Sequence, residues 1–323
     1  MKEESPAFAI RGAGGSAVAP IHRFSHEAMG SIFEIFVAGQ EAEYARQASD
    51  AAFEELDRLY HELNRYSPTS DVSQINHLRA GQGIRVGVAT YECLKIAARV
   101  SADTGGAFDV TVGRLFALWK PQEGVAPPQP TDAEIAAARK ATGIGLLVLC
   151  DDDFSVGAKA DGVQVDLGGI GKGFAVDQMA ATLREWSVSS ALLHGGGSSV
   201  YAMGAPAGKD GWTIVTRNPE NASETLAVIT LKDESLSGSG IRPNYLHIID
   251  PRTGRPATGN MATWARAKSG AVADALSTAF LIFTPDEVRA YCEKHLDAAG
   301  MIYRIAEAEH KVYRYGKWDA VTK

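Results

Sequence analysis

The segment SGAVADALSTAFLIF, residues 269–283, constrains the fold most because it places a carboxylate in a run of small and apolar residues. The apolar residues cover most of a helical surface, which predicts a helix packed on most sides. Asp274 is the acidic residue of this run. An unpaired carboxylate in an apolar interior costs at least several kcal/mol, so another part of the chain must supply its partner.

Two interpretations of this helix stay open at the level of residues. Asp274 and Thr278 are one helical turn apart on the same face, so together they offer two hard oxygen ligands, which suits Mg²⁺ shared with a phosphate. Alternatively, Asp274 caps the helix N-terminus and the Thr278 hydroxyl bonds back to the preceding turn.

A glycine-dense run, VDLGGIGKGFAVDQ, precedes another helical pattern and carries one positive charge at Lys172. Glycines let a backbone approach a ligand closely, and a loop that enters a helix presents free N–H groups to phosphate. The spacing is not that of a P-loop. This run and the similar HGGG at residues 194–197 therefore indicate either phosphate contacts or plain tight turns.

Composition excludes several classes of protein. A formal net charge of −7, with no local run of Lys and Arg, excludes nucleic acid as a main partner. The cysteines Cys93, Cys150 and Cys292 are too far apart for a disulfide framework or zinc site, which predicts buried thiols in a reducing compartment. The N-terminus is acidic where a signal peptide is basic, and no segment has the length of a transmembrane helix. We expect a cytoplasmic protein with a flexible leader at residues 1–20.

The remaining chain predicts an α+β fold in one compact domain, residues 21–323. GSIFEIFV alternates like a strand, residues 43–66 and 88–106 have helical spacing, and Thr131 with Glu134 is in capping-box register. Later strands mix with helices without a regular β-α-β order.

Seven motifs occur together, in the order AMGS, ELNRYSPTSDVSQIN, TGGAFDVTVGRLFALW, VDLGGIGKGFAVDQ, HGGG, LHIIDPRTGRP and ADALSTA. With these motifs the chain resembles the ApbE family of flavin transferases. The resemblance implies an alpha-beta roll of mixed sheets with flanking helices. It also implies an Mg²⁺-dependent enzyme that binds FAD, cleaves its pyrophosphate, attaches FMN through a phosphoester to a Thr or Ser of a target protein, and releases AMP.

The resemblance assigns roles to individual residues. It implies that the metal is held by the carboxylate of Asp274, the hydroxyl of Thr278 and main-chain oxygens of Ser277 and Gly169. It implies an FAD site that comprises Met29, Tyr66, Ala107, Phe108, Asp109, Asp166, Lys172 and Ile249. Besides Asp274, His247 is the expected catalytic residue, because a histidine near neutral pH can take the proton of the incoming hydroxyl. A structural or ligand-positioning role for His247 stays open.

Two departures from the family pattern concern the transfer partner. GGGSS replaces the usual glycine pair followed by an acidic or amide residue, and LSGSGIRPNYLHIID is shorter and less acidic than usual. The alternatives are therefore an FAD pyrophosphatase, in which water is the acceptor, and a non-catalytic FAD-binding protein.

Overall fold

The computed structural model describes residues 8–10, 20–120, 129–241, 248–306 and 309–318. The helices are α1 (Ala42–Leu63), α2 (Asp71–Ile75), α3 (Val88–Asp103), α4 (Gly113–Trp119), α5 (Asp132–Arg139), α6 (Gly171–Glu185), α7 (Gly270–Ile282) and α8 (Pro285–Lys294), with a 3₁₀ turn at Ile144–Leu146. The first seven strands are β1 (Phe8–Ile10), β2 (Ile21–Ala28), β3 (Ser31–Ala38), β4 (Gly83–Arg85), β5 (Leu147–Cys150), β6 (Ser155–Ala158) and β7 (Ala191–Gly195), which ends in the HGGG motif. Those after it are β8 (Ser199–Met203), β9 (Trp212–Asn218), β10 (Asn221–Leu231), β11 (Glu234–Gly240), β12 (Ile249–Asp250), β13 (Arg255–Pro256), β14 (Asn260–Ala267), β15 (Ala299–Ala306) and β16 (Glu309–Tyr315).

The centre of the fold is an eight-stranded sheet in the order β16-β15-β14-β11-β8-β7-β3-β2. All its neighbouring strands are antiparallel. Smaller sheets are formed by β1-β9-β10, β4-β6-β5 and β12-β13. The mixture of helices and antiparallel strands confirms the predicted α+β class.

Strand alternation divides the core into two layers on either side of this sheet. On one face, Phe33, Ile35 and Leu193 pack with α1, α6 and α7. On the other face, Leu236 and Trp264 pack against the small β1-β9-β10 sheet. Because successive side chains of a strand point to opposite faces, each central strand contributes to both layers.

Helix α7 lies against the helical face of the sheet and is held at both ends. At its N-terminus the Asp177 carboxylate accepts from Gly270 N at 2.6 Å and from Ala271 N at 3.0 Å. At its C-terminus Asn260 Nδ2 donates to Phe280 O at 2.9 Å and to Phe283 O at 2.7 Å. These bonds satisfy helix-end groups that would otherwise lie unpaired in the interior, so the position of α7 is well determined.

Most elements predicted from local patterns are confirmed. The strand GSIFEIFV is β3, the first two predicted helices are α1 and α3, and the capping box of Thr131 and Glu134 begins α5. Within the expected leader, residues 8–10 pair with β9 as strand β1. Residues 1–7 and 11–19 lie outside the described residues, so the flexible leader at residues 1–20 stays a prediction.

Two further expectations concern cysteines and membranes. Cys93 and Cys292 are buried free thiols, whereas Cys150 is only partly buried. No helix in the described ranges has both the length and the apolar character needed to cross a membrane. The cytoplasmic location stays a prediction.

Candidate functional site

The site is built where helices α6 and α7 cross with almost touching backbones. A Cβ atom added at Gly173 would lie 2.1 Å from Gly270 O and 2.6 Å from Asp274 Cβ. A Cβ added at Gly270 would lie 2.5 Å from Gly173 O. Any larger residue would therefore push the helices apart, so part of the glycine-dense run serves helix packing and not a ligand.

Asp274 lies in the interior of α7, where the crossing provides its partner. It is 4% exposed, and its Oδ2 accepts from Gly173 N at 2.9 Å. The helix N-cap is Ser269, so the alternative that Asp274 caps the helix is wrong. Burial raises the pKa of Asp274, whereas the charge of Lys172, the Gly173 N–H and the nearby Ser199 hydroxyl lower it.

The bond to Asp274 has a second effect, on Gly169. In a regular α-helix the N–H of residue 173 would donate to the carbonyl of residue 169. Gly173 N donates to the carboxylate instead, and among the described residues no hydrogen bond ends on Gly169 O. A main-chain oxygen is thus left free at the start of α6.

Thr278 completes this corner of the site. Its Oγ1 lies 3.0 Å from the Cβ position of Gly169, and Phe108 Cε2 lies 3.3 Å from the same point. The Thr278 hydroxyl also lies 3.4 Å from Asp274 O, so the back-bond expected as the alternative is present, though long. The fold therefore brings Gly169, Asp274, Thr278 and Phe108 together from three separate segments.

Ser277 differs from the expectation for its carbonyl oxygen. That oxygen accepts from Thr263 Oγ1 at 2.6 Å, and within α7 it also accepts the regular bond from the residue one turn later. A carbonyl has two lone pairs, so both are used. The contacts of Ser277 fit a role in orienting its neighbours better than a role as a main-chain metal ligand.

The oxygens of Asp274, Thr278 and Gly169 suit a hard divalent cation. Such ions bind carboxylate, hydroxyl and carbonyl oxygens. Across the described ranges no group of three His, Cys, Asp or Glu side chains is arranged to hold a metal ion. A cation here would therefore depend on one carboxylate together with neutral oxygens and those of a bound phosphate.

A second cluster joins the end of α1 to the glycine-dense run. Arg65 Nη1 donates to Asp166 Oδ2, and Gly168 N donates to Asp166 Oδ1 at 2.8 Å. The Arg65 guanidinium lies 5.6 Å from the centre of the Tyr66 ring, which is 70% exposed. An exposed aromatic ring next to an Arg–carboxylate pair can stack on a planar ligand. Sequence reasoning missed Arg65, although it adjoins Tyr66 in NRYSP.

A third group forms at the turn between β2 and β3. Met29 has φ 51° and Gly30 has φ 69°, which is the two-residue hairpin turn with positive φ at both central positions. A left-handed methionine is strained. The Cβ position of Gly196 lies 2.6 Å from Ser31 Oγ and 3.2 Å from Lys172 Cδ, so this hairpin, the HGGG turn and the start of α6 meet.

The carboxylate of Asp109 is hydrogen-bonded to groups of the protein itself and is not open to a ligand. Its Oδ1 accepts from Thr111 N and Oγ1, and its Oδ2 accepts from Ile144 N at 2.7 Å and, at 3.4 Å, from Ser101 Oγ. The neighbouring Ala107 is buried in the main core. These bonds leave the Asp109 carboxylate little capacity for a ligand, so a cofactor contact in GGAFD would involve Phe108 or the main chain.

Two expected residues remain, Ile249 and His247. The Ile249 side chain is buried in a satellite core with Leu115, Trp119 and Ile135. His247 falls in residues 242–247, outside the described residues.

Two cavities have volumes of about 310 and 420 Å³. The first is lined by Tyr303, His310 and Glu220 among others, and the second by residues around His22 and Gln40. Neither of these two cavities involves the crossing of α6 and α7. We locate the site instead by the convergence of charged groups and free oxygens.

Comparisons with known proteins are consistent with one another. A family model described as the ApbE family matches residues 29–302. An FAD:protein FMN transferase of Vibrio cholerae is 31% identical over 256 residues, which cover 74% of this chain and 75% of that protein. One from Salmonella typhimurium is 28% identical over 298 residues, 86% of this chain and 83% of that protein.

Solved structures extend the similarity to the fold. The apo form of the flavinyl transferase ApbE from Pseudomonas stutzeri matches with a TM-score of 0.83 at 25% identity, over 95% of this chain and 98% of that one. The flavin transferase ApbE from Vibrio cholerae matches with a TM-score of 0.79 at 25% identity, over 92% and 98%. The predicted resemblance and fold class are confirmed.

Proposed function

Because the chain belongs to the ApbE family, we propose that residues 21–323 form a domain that transfers the FMN moiety of FAD to a Thr or Ser hydroxyl of an acceptor protein. A phosphoester forms at that hydroxyl, the pyrophosphate bond of FAD breaks, and AMP leaves. The observation that carries the proposal is the convergence of Asp274, Thr278 and the free Gly169 carbonyl beside the positive charge of Lys172.

The residues of this chain bind and orient the pyrophosphate. Lys172 stands at the start of α6, where its charge attracts phosphate oxygens. The N–H groups of Gly171 and Gly173 on either side of it already donate to Leu167 O and Asp274 Oδ2. Asp274, Thr278 and Gly169 would hold Mg²⁺, which, when bound, neutralises charge on the pyrophosphate. Asp274 is buried and bonded to Gly173 N, so its other carboxylate oxygen keeps a fixed direction without reorganisation.

The flavin and adenosine parts require contacts of a different type. Tyr66 offers an exposed ring, Phe108 lies beside Gly169, and Asp166 is oriented by Arg65. The Cβ position of Gly196 lies 3.2 Å from Lys172 Cδ, and Met29 is in the hairpin turn that reaches Gly196 through Ser31. A dinucleotide that spans these groups gains contacts at both ends, so we expect FAD to bind more tightly than riboflavin.

The acceptor hydroxyl must lose its proton as it attacks the phosphorus. His247 remains the residue predicted for that role, on the family resemblance and on the chemistry of its side chain. The observations on α6 and α7 support phosphate activation independently of this assignment.

The experiment incubates the protein with FAD, Mg²⁺ and candidate flavin-acceptor domains, and measures AMP release together with covalent flavin fluorescence on a denaturing gel. We expect both signals, and we expect both to disappear in Asp274→Asn. An acceptor whose target Thr is replaced by Val should give no fluorescent band. AMP without a flavinylated acceptor would instead identify an FAD pyrophosphatase, and bound FAD without AMP a non-catalytic FAD-binding protein.

A further inference from the structure

A layer of hydroxyl groups lies on the central sheet beneath the metal-binding face of α7. Ser237 in β11 is directly opposite Ser199 in β8, and Ser239 in β11 is directly opposite Thr263 in β14. Residues opposite each other in antiparallel strands share a face, and residues two apart in a strand share it too. Thr263 contacts Ser277, so these four side chains lie on the face that α7 covers.

Hydrogen bonds link this layer to α7 through Ser239. Ser239 Oγ is 2.8 Å from Ser277 Oγ and 3.4 Å from Thr278 Oγ1. Ser277 Oγ is in turn 2.8 Å from Asp274 O. None of the motifs of the sequence analysis assigns a role to Ser239.

The number of protons determines the direction of this chain of bonds. A main-chain carbonyl oxygen can only accept a hydrogen bond, so in its contact with Asp274 O the Ser277 hydroxyl donates its single proton. In the 2.8 Å contact between the two serines, Ser239 must then be the donor. Once the Ser239 proton is used, Ser239 can only accept from Thr278.

Thr278 is therefore surrounded by acceptors on the inner side of the helix. Both of its hydroxyl contacts, Ser239 Oγ and Asp274 O, are acceptors at 3.4 Å. Without Ser239, only Asp274 O, one turn earlier in the same helix, would orient the proton. With the proton directed at Ser239 Oγ, the Thr278 oxygen keeps its lone pairs for the side where the Cβ position of Gly169 lies 3.0 Å away. A hydroxyl that ligates a cation needs this orientation, because a proton directed at the ion would repel it.

We propose that Ser239 is a positioning residue that orients the Thr278 hydroxyl as a ligand for a hard divalent cation. This inference rests on the metal site of the proposed function. It adds the residue behind Thr278 that sets the direction of the Thr278 hydroxyl. Groups that orient metal ligands change metal affinity when they are removed, typically by about 10- to 100-fold.

The test measures cation affinity directly, with Mn²⁺ alone as the probe and Mg²⁺ as its competitor, by the electron paramagnetic resonance signal of free Mn²⁺. In Ser239→Ala we expect roughly tenfold weaker binding, with the thermal midpoint in EDTA nearly unchanged. In Ser239→Thr, which keeps the hydroxyl, affinity should return to within about twofold of the wild type. The matched control is Ser237→Ala, on the same strand and face, where the removed hydroxyl is buried and has no hydrogen-bond partner among the described residues.

The outcomes separate this inference from the proposed function. Unchanged affinity in Ser239→Ala, equal loss in Ser237→Ala, or no Mn²⁺ binding by the wild type would each overturn it. If the Mn²⁺ affinities of the variants are as expected but the protein neither releases AMP nor flavinylates an acceptor, the positioning role of Ser239 is supported and the transferase function is rejected. If Ser239→Ala does not fold, Ser239→Cys replaces it, and affinity equal to the wild type there would also overturn the inference, because a thiol is a weaker donor.

Discussion

The main-chain N–H of Gly173 donates to Asp274 Oδ2 across 2.9 Å, although the two residues are 101 positions apart. This bond gives the buried carboxylate a donor and withdraws the N–H from the Gly169 carbonyl, which then remains free. It is possible because Gly173 and Gly270 let α6 and α7 approach closely. One contact thus connects the packing of two helices with the oxygens that we assign to the cation.

The first prediction concerns this helix crossing. In Gly173→Ala the new methyl group would lie 2.1 Å from Gly270 O, so the helices must separate. Overpacking of this kind costs about 1–3 kcal/mol or more, measured as the free energy of unfolding in urea. Gly171→Ala is the matched control in the same helix, since its nearest contact would be Leu167 Cβ at 3.9 Å. Equal effects of the two substitutions would contradict a packing role specific to Gly173.

The second prediction concerns the Asp274 carboxylate. Asp274→Asn keeps an oxygen that can accept from Gly173 N but removes a buried charge, so the protein in EDTA should be as stable as the wild type or more stable. The stabilisation by Mg²⁺ plus FAD should shrink, and shrink less in Thr278→Val, because ligand binding stabilises the folded state by mass action. Thermal midpoints with EDTA and with Mg²⁺ plus FAD measure both effects. Full Mg²⁺-dependent AMP release by Asp274→Asn would reject the metal site.

The third prediction concerns Arg65, which orients Asp166 and lies beside the Tyr66 ring. Arg65→Ala should weaken FAD binding by about 1 kcal/mol, or roughly fivefold in Kd, because Asp166 loses a charge-assisted hydrogen bond that holds it in position. Calorimetric titration with FAD measures the change. The control is Arg58→Ala on the exposed side of α1, where Arg58 pairs with Glu55 and Glu62. If the two variants bind FAD equally well, Arg65 has no part in the site.

The fourth prediction concerns His194 in β7. Burial lowers its pKa below the ordinary 6.5, with a smaller opposing effect of Glu34, whose Oε2 lies 3.8 Å from His194 Nδ1, and a further lowering by Arg23. Below pH 6.5 the unfolded chain therefore binds a proton more readily than the folded protein, so folding stability falls as the pH falls through 6.5.

Replacement of His194 by glutamine should reduce this pH dependence. The difference in thermal midpoint between pH 7.5 and pH 5.5 should be smaller in His194→Gln than in the wild type. The control is His61→Gln, at an exposed position of α1, which should preserve the wild-type difference. If both variants keep the wild-type difference in thermal midpoint, the destabilisation in acid arises from other groups than His194.

Several features of the protein follow from the sequence alone. The apolar run around Asp274 predicted a buried helix with a carboxylate in need of a partner, and the alternation of GSIFEIFV predicted strand β3. Thr131 and Glu134 predicted the start of α5. Each of these depends on residues within a few positions of one another, because helical and strand periods and helix capping are local properties.

The tertiary structure decided which candidate residues meet and what each is free to do. Asp109 matched the family motif, but the fold uses its oxygens for bonds to Thr111 and Ile144. Arg65 and Ser239 lie in the segments ELNRYSPTSDVSQIN and LSGSGIRPNYLHIID, but their roles depend on contacts with residues 101 and 39 positions away, respectively. The physical reason is that a hydrogen bond depends on distance and direction in space, and the packing of α7 on the sheet and against α6 sets both.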